Sequence, residues 1–137
     1  MYFVDEPIWI TEDLILEQHS KLLSQSQDKD LHGLLNPSIF SATLARPQHL
    51  YCYGAGITLF DLAAAYAYGF AKNHCFVSAN KRIALASVYV FLRLNGFRLV
   101  ASKTETFNYM IDLAEGKISQ EDLANWLRLN SRPEQAL

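Results

Sequence analysis

No run of apolar residues in this chain is long enough to cross a bilayer, and the opening stretch MYFVDEPIW has no basic segment ahead of a hydrophobic core. Neither a membrane span nor a secretory leader is therefore expected, and the expected compartment is the cytoplasm. Charge of one sign is lacking as well. Twelve Lys and Arg face 14 Asp and Glu, a net charge of −2, so there is no broad basic field of the kind that captures nucleic acid or an anionic membrane. Direct binding to either is not expected. Cysteine is scarce: Cys52 and Cys75 are the two in the chain, and in so apolar a sequence they are expected to be reduced filler rather than a disulfide. No internal repeat is visible. What is present is hydrophobic bulk, 50% of 137 residues, enough for one core. The expectation is one domain over 1–137, with its core at about 8–130 and a mobile tail at 131–137.

The punctuation of the chain reads as helical. Thr11 before Glu12 and Asp13 is an N-cap with acids in the first turn, followed by Leu14, Ile15, Gln18, His19 and Leu22 at helical spacing, which predicts a helix to about Ser24. The polar stretch SQSQDKD reads as a solvated connection. Asn36 and Pro37 form a cap and a first-turn proline. That helix is predicted to end near Ala45, because Pro47 disfavours helical geometry at Arg46. From Pro47 to Gly56 no helical period is evident, so a loop or small hairpin is expected. Thr58 with Asp61 opens the helix of DLAAAYAYGFAKN, ended by a left-handed Asn73. A strongly apolar helix follows over Lys81–Asn95 and stops at Gly96; its pattern places it at the centre of the domain. Phe97 to Val100 is read as an extended connector. Ser102 with Glu105 and Ser119 with Asp122 are two more capping-box patterns. Their helices are predicted to end near Glu115, with Gly116 as left-handed cap, and near Leu129. Six helices with short joints make an all-α domain.

Chemistry concentrates in His74–Arg82, HCFVSANKR. The segment lies between a helix end and a helix start, where unpaired N–H groups and the positive end of the dipole favour an anion. Histidine is the residue type suited to proton transfer near neutrality, so His74 is the candidate general base. Phe76 is a hydrophobic anchor. Ala79 is small enough for a tight turn and close approach to an oxygen, and Asn80 reads as a cap or as a side chain organising the pocket. Lys81 and Arg82 at a helix start run against the dipole preference, which points to a bound anion offsetting them. A point charge beside a planar fork of donors suits phosphate oxygens.

HxFxxANKR before a hydrophobic helix, together with LARPQHLYCYGAG, LFDLAAAYAYGFAKNH and FLRLNGF, resembles the Fic/Doc superfamily from about Asn36 to Leu127, and specifically its Doc (death on curing) toxin branch. Nucleotidyl-transferring Fic proteins read HPFxxGNGR; Lys81 stands where their second glycine falls. The resemblance implies a Fic-like helical domain with a small flap, placed here over residues 47–56, that aligns a target peptide by β-type pairing. It implies ATP and Mg²⁺ as cofactors, with His74 as base and Ala79, Asn80, Lys81 and Arg82 as the nucleotide-binding residues. The implied reaction is phosphorylation of a threonine or serine hydroxyl of a translation factor of the elongation factor Tu class, which arrests translation. Nucleotidyl (AMP) transfer is the alternative within enzymes.

Ser78 departs from the pattern. The family carries an acidic residue or Asn there to help hold Mg²⁺, and a neutral hydroxyl is a weaker ligand for that ion, so a degenerate metal position and a pseudoenzyme acting as a binding module are also open. The inhibitory pattern [ST]xxxE[GN] of many Fic proteins is absent, since Glu115, which precedes Gly116, has Ile111 four residues earlier. By resemblance a separate Phd-like antitoxin is the expected partner, folding onto the protein as an amphipathic segment.

Overall fold

The computed structural model describes residues 6–25 and 33–134. The elements run α1 (Glu12–Gln25), α2 (Pro37–Tyr53), α3 (Leu59–Lys72), α4 (Asn80–Leu94), β1 (Phe97–Leu99), α5 (Lys103–Ala114), α6 (Gln120–Leu129) and β2 (Ser131–Pro133). Among the described residues the architecture is all-α apart from one small antiparallel sheet. Most of the connection SQSQDKD, from residue 26 onward, lies outside the described residues, as do 1–5 and 135–137.

The centre is α3. Ten of its 14 residues are buried, against six of 15 in α4, and α2, α4, α5 and α6 all pack on it. This corrects the expectation that α4 is the central helix. Ala63, Ala64, Ala65, Ala67 and Ala71 give α3 a thin profile that neighbours can approach from all sides. Gly69 makes the approach closest: a Cβ there would lie 2.6 Å from the Thr43 methyl on α2. The bulkier α4 buries one stripe, Ile83, Ala84, Val88, Phe91 and Leu92, and leaves Leu85, Tyr89 and Val90 half-covered.

Three boundaries differ from the sequence expectation, each for a tertiary reason. The α2 helix does not end near Ala45 but continues through a buried Pro47 to Tyr53. An internal proline costs about 3 kcal/mol or more; here Leu50 and Tyr51 beyond it pack against the core, Tyr51 edge-on to Trp9 at 5.7 Å, and that burial outweighs the missing hydrogen bond. A flap over residues 47–56 is thereby excluded for 47–53. Residues 97–99 are not a mere connector, nor is the whole of 131–137 a loose tail. Phe97↔Pro133, Arg98↔Arg132 and Leu99↔Ser131 pair antiparallel, because Phe97 and Leu99 face the core and hold the edge on which β2 docks. The left-handed residue after α3 is not Asn73, whose φ is −92°, but His74, with φ 48°.

The capping signals otherwise hold. Thr58 with Asp61 and Ser119 with Asp122 form complete capping boxes, Ser102 caps α5 from one side, and Gly96 and Gly116 adopt φ 86° and 78° at the ends of α4 and α5. Both cysteines are free.

Candidate active site

The loop between α3 and α4 leaves the core through Thr43. This buried hydroxyl donates to the Ile39 carbonyl (2.7 Å) and accepts from Asn73 Nδ2 (3.0 Å) and Cys75 Sγ (3.4 Å), which uses its single donor and both acceptor positions. Burial pushes the Cys75 thiol above its ordinary range, against the smaller pull of its bond to Thr43, so it stays a neutral donor. On the outer side the loop pairs with the strand-like segment before α2: the Leu35 N–H donates to the Cys75 carbonyl (2.8 Å) and the Val77 N–H to the Gly33 carbonyl (3.2 Å). The β-type pairing beside the motif is therefore with residues 33–35.

Phe76 is the buried anchor, edge-on to Phe40 at 5.5 Å and stacked on His19 at 4.0 Å. Asn80, in the first turn of α4, folds its side chain back onto Phe76, accepting from its N–H at 3.0 Å and donating to its carbonyl at 2.9 Å. Between them Ala79 takes φ 68°, ψ 23°, with no side chain capping α4. A left-handed alanine stores strain that the surrounding contacts must hold in place.

The result is a cavity of about 310 Å³ lined by His74, Ala79, Asn80, Lys81 and Arg82, closed by Ala71 and Phe107. The structure thus brings together the proposed base and all four proposed nucleotide-binding residues. His74 is exposed in it, and Arg82 is part-buried. The sixth residue singled out, Ser78, is not among the lining residues; its backbone carbonyl lies 3.0 Å from His19 Nε2. The charge of Lys81 reaches Glu115, whose carboxylate is held below the usual range chiefly by Lys117 at 2.9 Å and, to a smaller extent, by Lys81. Among the described residues no three His, Cys, Asp or Glu side chains come together as a metal site.

Sequence reasoning missed Thr43 and His19. The signal for His19 is legible in retrospect: it occupies the buried stripe of α1 between Ile15 and Leu23, where a polar ring needs a partner. Thr43 had no such mark.

Fold and cavity together define a class: an all-α domain in which a helix N-terminus, two cations and a histidine line one cavity. The comparisons agree. A model of the Fic/DOC family matches residues 9–92. The chain is similar to the protein kinase doc of Escherichia phage P1, 36% identical over 98 residues that cover 72% of this chain and 77% of that protein. It is also similar to the toxin Doc of Mycolicibacterium smegmatis, 37% identical over 90 residues covering 65% of this chain and 61% of that protein. The chain belongs to the Fic/Doc family, in its Doc branch.

Proposed function

We propose that this chain is a toxin that transfers the γ-phosphate of ATP to a threonine or serine hydroxyl of a translation factor of the elongation factor Tu class, in the cytoplasm. The observation that carries the reading is the convergence of His74, Asn80, Lys81 and Arg82 on one cavity at the start of α4. His74 takes the proton of the target hydroxyl as its oxygen bonds to phosphorus and the bond to the ADP oxygen breaks. Lys81 and Arg82 hold the phosphate oxygens on which charge develops, and the backbone around Ala79 approaches them closely. The name of the phage relative, a protein kinase, favours phosphate over nucleotidyl transfer, and Lys81 fills the place that a glycine keeps open in nucleotidyl-transferring relatives. Magnesium is read as part of the Mg-ATP substrate, carried in on the phosphates. Label from γ-labelled ATP appearing on the target, and lost in His74→Ala, is the expected result; label from α-labelled ATP would assign nucleotidyl transfer.

Ser78 supports a second reading, a binding module that keeps the pocket and transfers nothing. Ser78→Asp separates the two. An added carboxylate beside the helix start should raise Mg-dependent transfer by about tenfold if the neutral side chain limits the rate, whereas equal, negligible transfer by both proteins supports the binding module.

A separate antitoxin is proposed as the partner, as the toxin name of the mycobacterial relative suggests. A groove of about 670 Å³ between α1, α4 and α5 shares Arg82 and Phe107 with the smaller cavity. It is apolar along Leu22, Leu85, Tyr89 and Val90, with Arg93 and Lys103 also lining it. An amphipathic segment carrying acids fits this surface and would reach the phosphate pocket. Expression of the chain alone should arrest growth; tight self-inhibition relieved by trimming the chain would overturn this.

A further inference from the structure

One of the contacts that hold the strained turn comes from a residue 59 positions away in the sequence. His19 is 5% exposed, and a polar ring in that setting needs hydrogen-bond partners. Its Nε2 lies 3.0 Å from the Ser78 carbonyl oxygen. That oxygen can only accept, so Nε2 carries the hydrogen. The ring lies nearly flat on Phe76, 4.0 Å between centroids and 16° between planes, so one side chain grips the loop both by its anchor and by its last carbonyl before the turn.

We propose that His19 is a positioning residue for the phosphate pocket, holding the Ser78–Ala79 peptide so that its N–H faces the cavity. The inference rests on reading that cavity as a phosphate site. The carbonyl of Ser78 and the N–H of Ala79 belong to one planar trans unit and point in opposite directions. A carbonyl drawn toward α1 therefore sends the N–H away from α1. Ala79 lines the cavity, and among the described residues its N–H has no hydrogen-bond partner. Asn80 grips both polar groups of the Phe76 backbone, and His19 holds the Ser78–Ala79 unit by its carbonyl. Without that hold the peptide can turn over, which would present an oxygen to the anion in place of a donor.

Two variants separate the grip from the packing. His19→Phe keeps a ring to stack on Phe76 and removes the donor. His19→Gln removes the ring and keeps an Nε2 donor of comparable reach. Each full chain is examined by circular dichroism, by calorimetric titration with Mg-ATP, and by amide spectra of Ala79–Arg82 without nucleotide. We expect His19→Phe to keep the wild-type helix content, to bind Mg-ATP about tenfold more weakly, and to shift the Ala79 amide; His19→Gln should bind within about threefold of wild type. The reverse order, full binding by His19→Phe and weak binding by a folded His19→Gln, overturns the proposal in favour of plain packing. Should His19→Phe fail to fold, His19→Gln set against the shorter His19→Asn decides: binding kept by Gln and lost by Asn supports the grip, and equal loss overturns it. If the wild type itself binds no Mg-ATP, the phosphate reading fails, and the Ala79 amide still judges His19: a shift in His19→Phe that reverts in His19→Gln supports it, and no shift overturns it.

Discussion

At the start of α6 the Asp122 N–H donates to the Ser119 hydroxyl at 3.0 Å and the Asp122 carboxylate accepts the Ser119 N–H at 2.9 Å. Glu121 adds a second acid to the first turn. At the start of α4 there is no side-chain cap and no acid, a left-handed alanine stands at the cap position, and Lys81 and Arg82 occupy the first turn. The helices α1, α3 and α5 resemble α6 in carrying acids there. One kind of N-terminus is satisfied by its own chain and is stable by itself. The other has its donors and its positive dipole end reinforced by cations, which is unfavourable until an anion arrives. The departure from the stabilising pattern coincides with the cavity of the proposed site.

The comparison breaks most sharply at His74. His74→Ala should lower transfer by about 10²–10⁴-fold while leaving the melting temperature unchanged, since His74 is exposed; a fold that melts early would assign the histidine a structural role. Next comes Lys81. Lys81→Gly should lose γ-phosphate transfer by about tenfold or more as ATP seats differently, and unchanged phosphorylation would show that the lysine does not orient ATP. The same kind of cut at α6 should do the opposite: Ser119→Ala should destabilise the fold by about 1 kcal/mol and leave Mg-ATP affinity alone, as a denaturant titration beside calorimetry would show.

Two smaller effects sharpen the contrast. Ala79→Gly relieves the left-handed strain and should stabilise the protein by up to about 1 kcal/mol, provided the looser chain is still held by Asn80 and His19; a loss of stability would mean the alanine methyl packs usefully. The last concerns pH. The Asp122 carboxyl is held below its ordinary value, first by the Ser119 N–H and then by the Ser119 hydroxyl. A depressed folded pKa contributes stability above the unfolded value of about 3.9 and loses it as pH falls through the folded one. Amide protection in the first turn of α6, corrected for intrinsic exchange, should therefore fall below about pH 4. The acid-free first turn of α4 should not share this change.

Much of this was legible without coordinates because capping is local. Thr58, Ser102, Ser119, Gly96 and Gly116 act on backbone groups within a few residues, and each was readable from its neighbours. Pro47 was misread for the converse reason: a proline's local preference is a few kcal/mol, and the burial of Leu50 and Tyr51 that overrides it depends on what lies across the interface. The short β1–β2 pairing has too few residues to show a period of two, and its partners are more than thirty positions apart.

By itself the sequence determined the number and type of helices, the nonapeptide proposed to carry the chemistry, and the unusual cation pair at a helix start, since each depends on residues adjacent in the chain. Tertiary structure alone decided that α3 and not α4 is central, because the thinness of an alanine helix matters only when neighbours close on it from several sides. It also decided that Thr43 and His19 hold the loop, one at each end. A hydrogen bond across 59 positions leaves no periodic trace, and only the packing of α1 and α2 around the motif brings those side chains within reach of it.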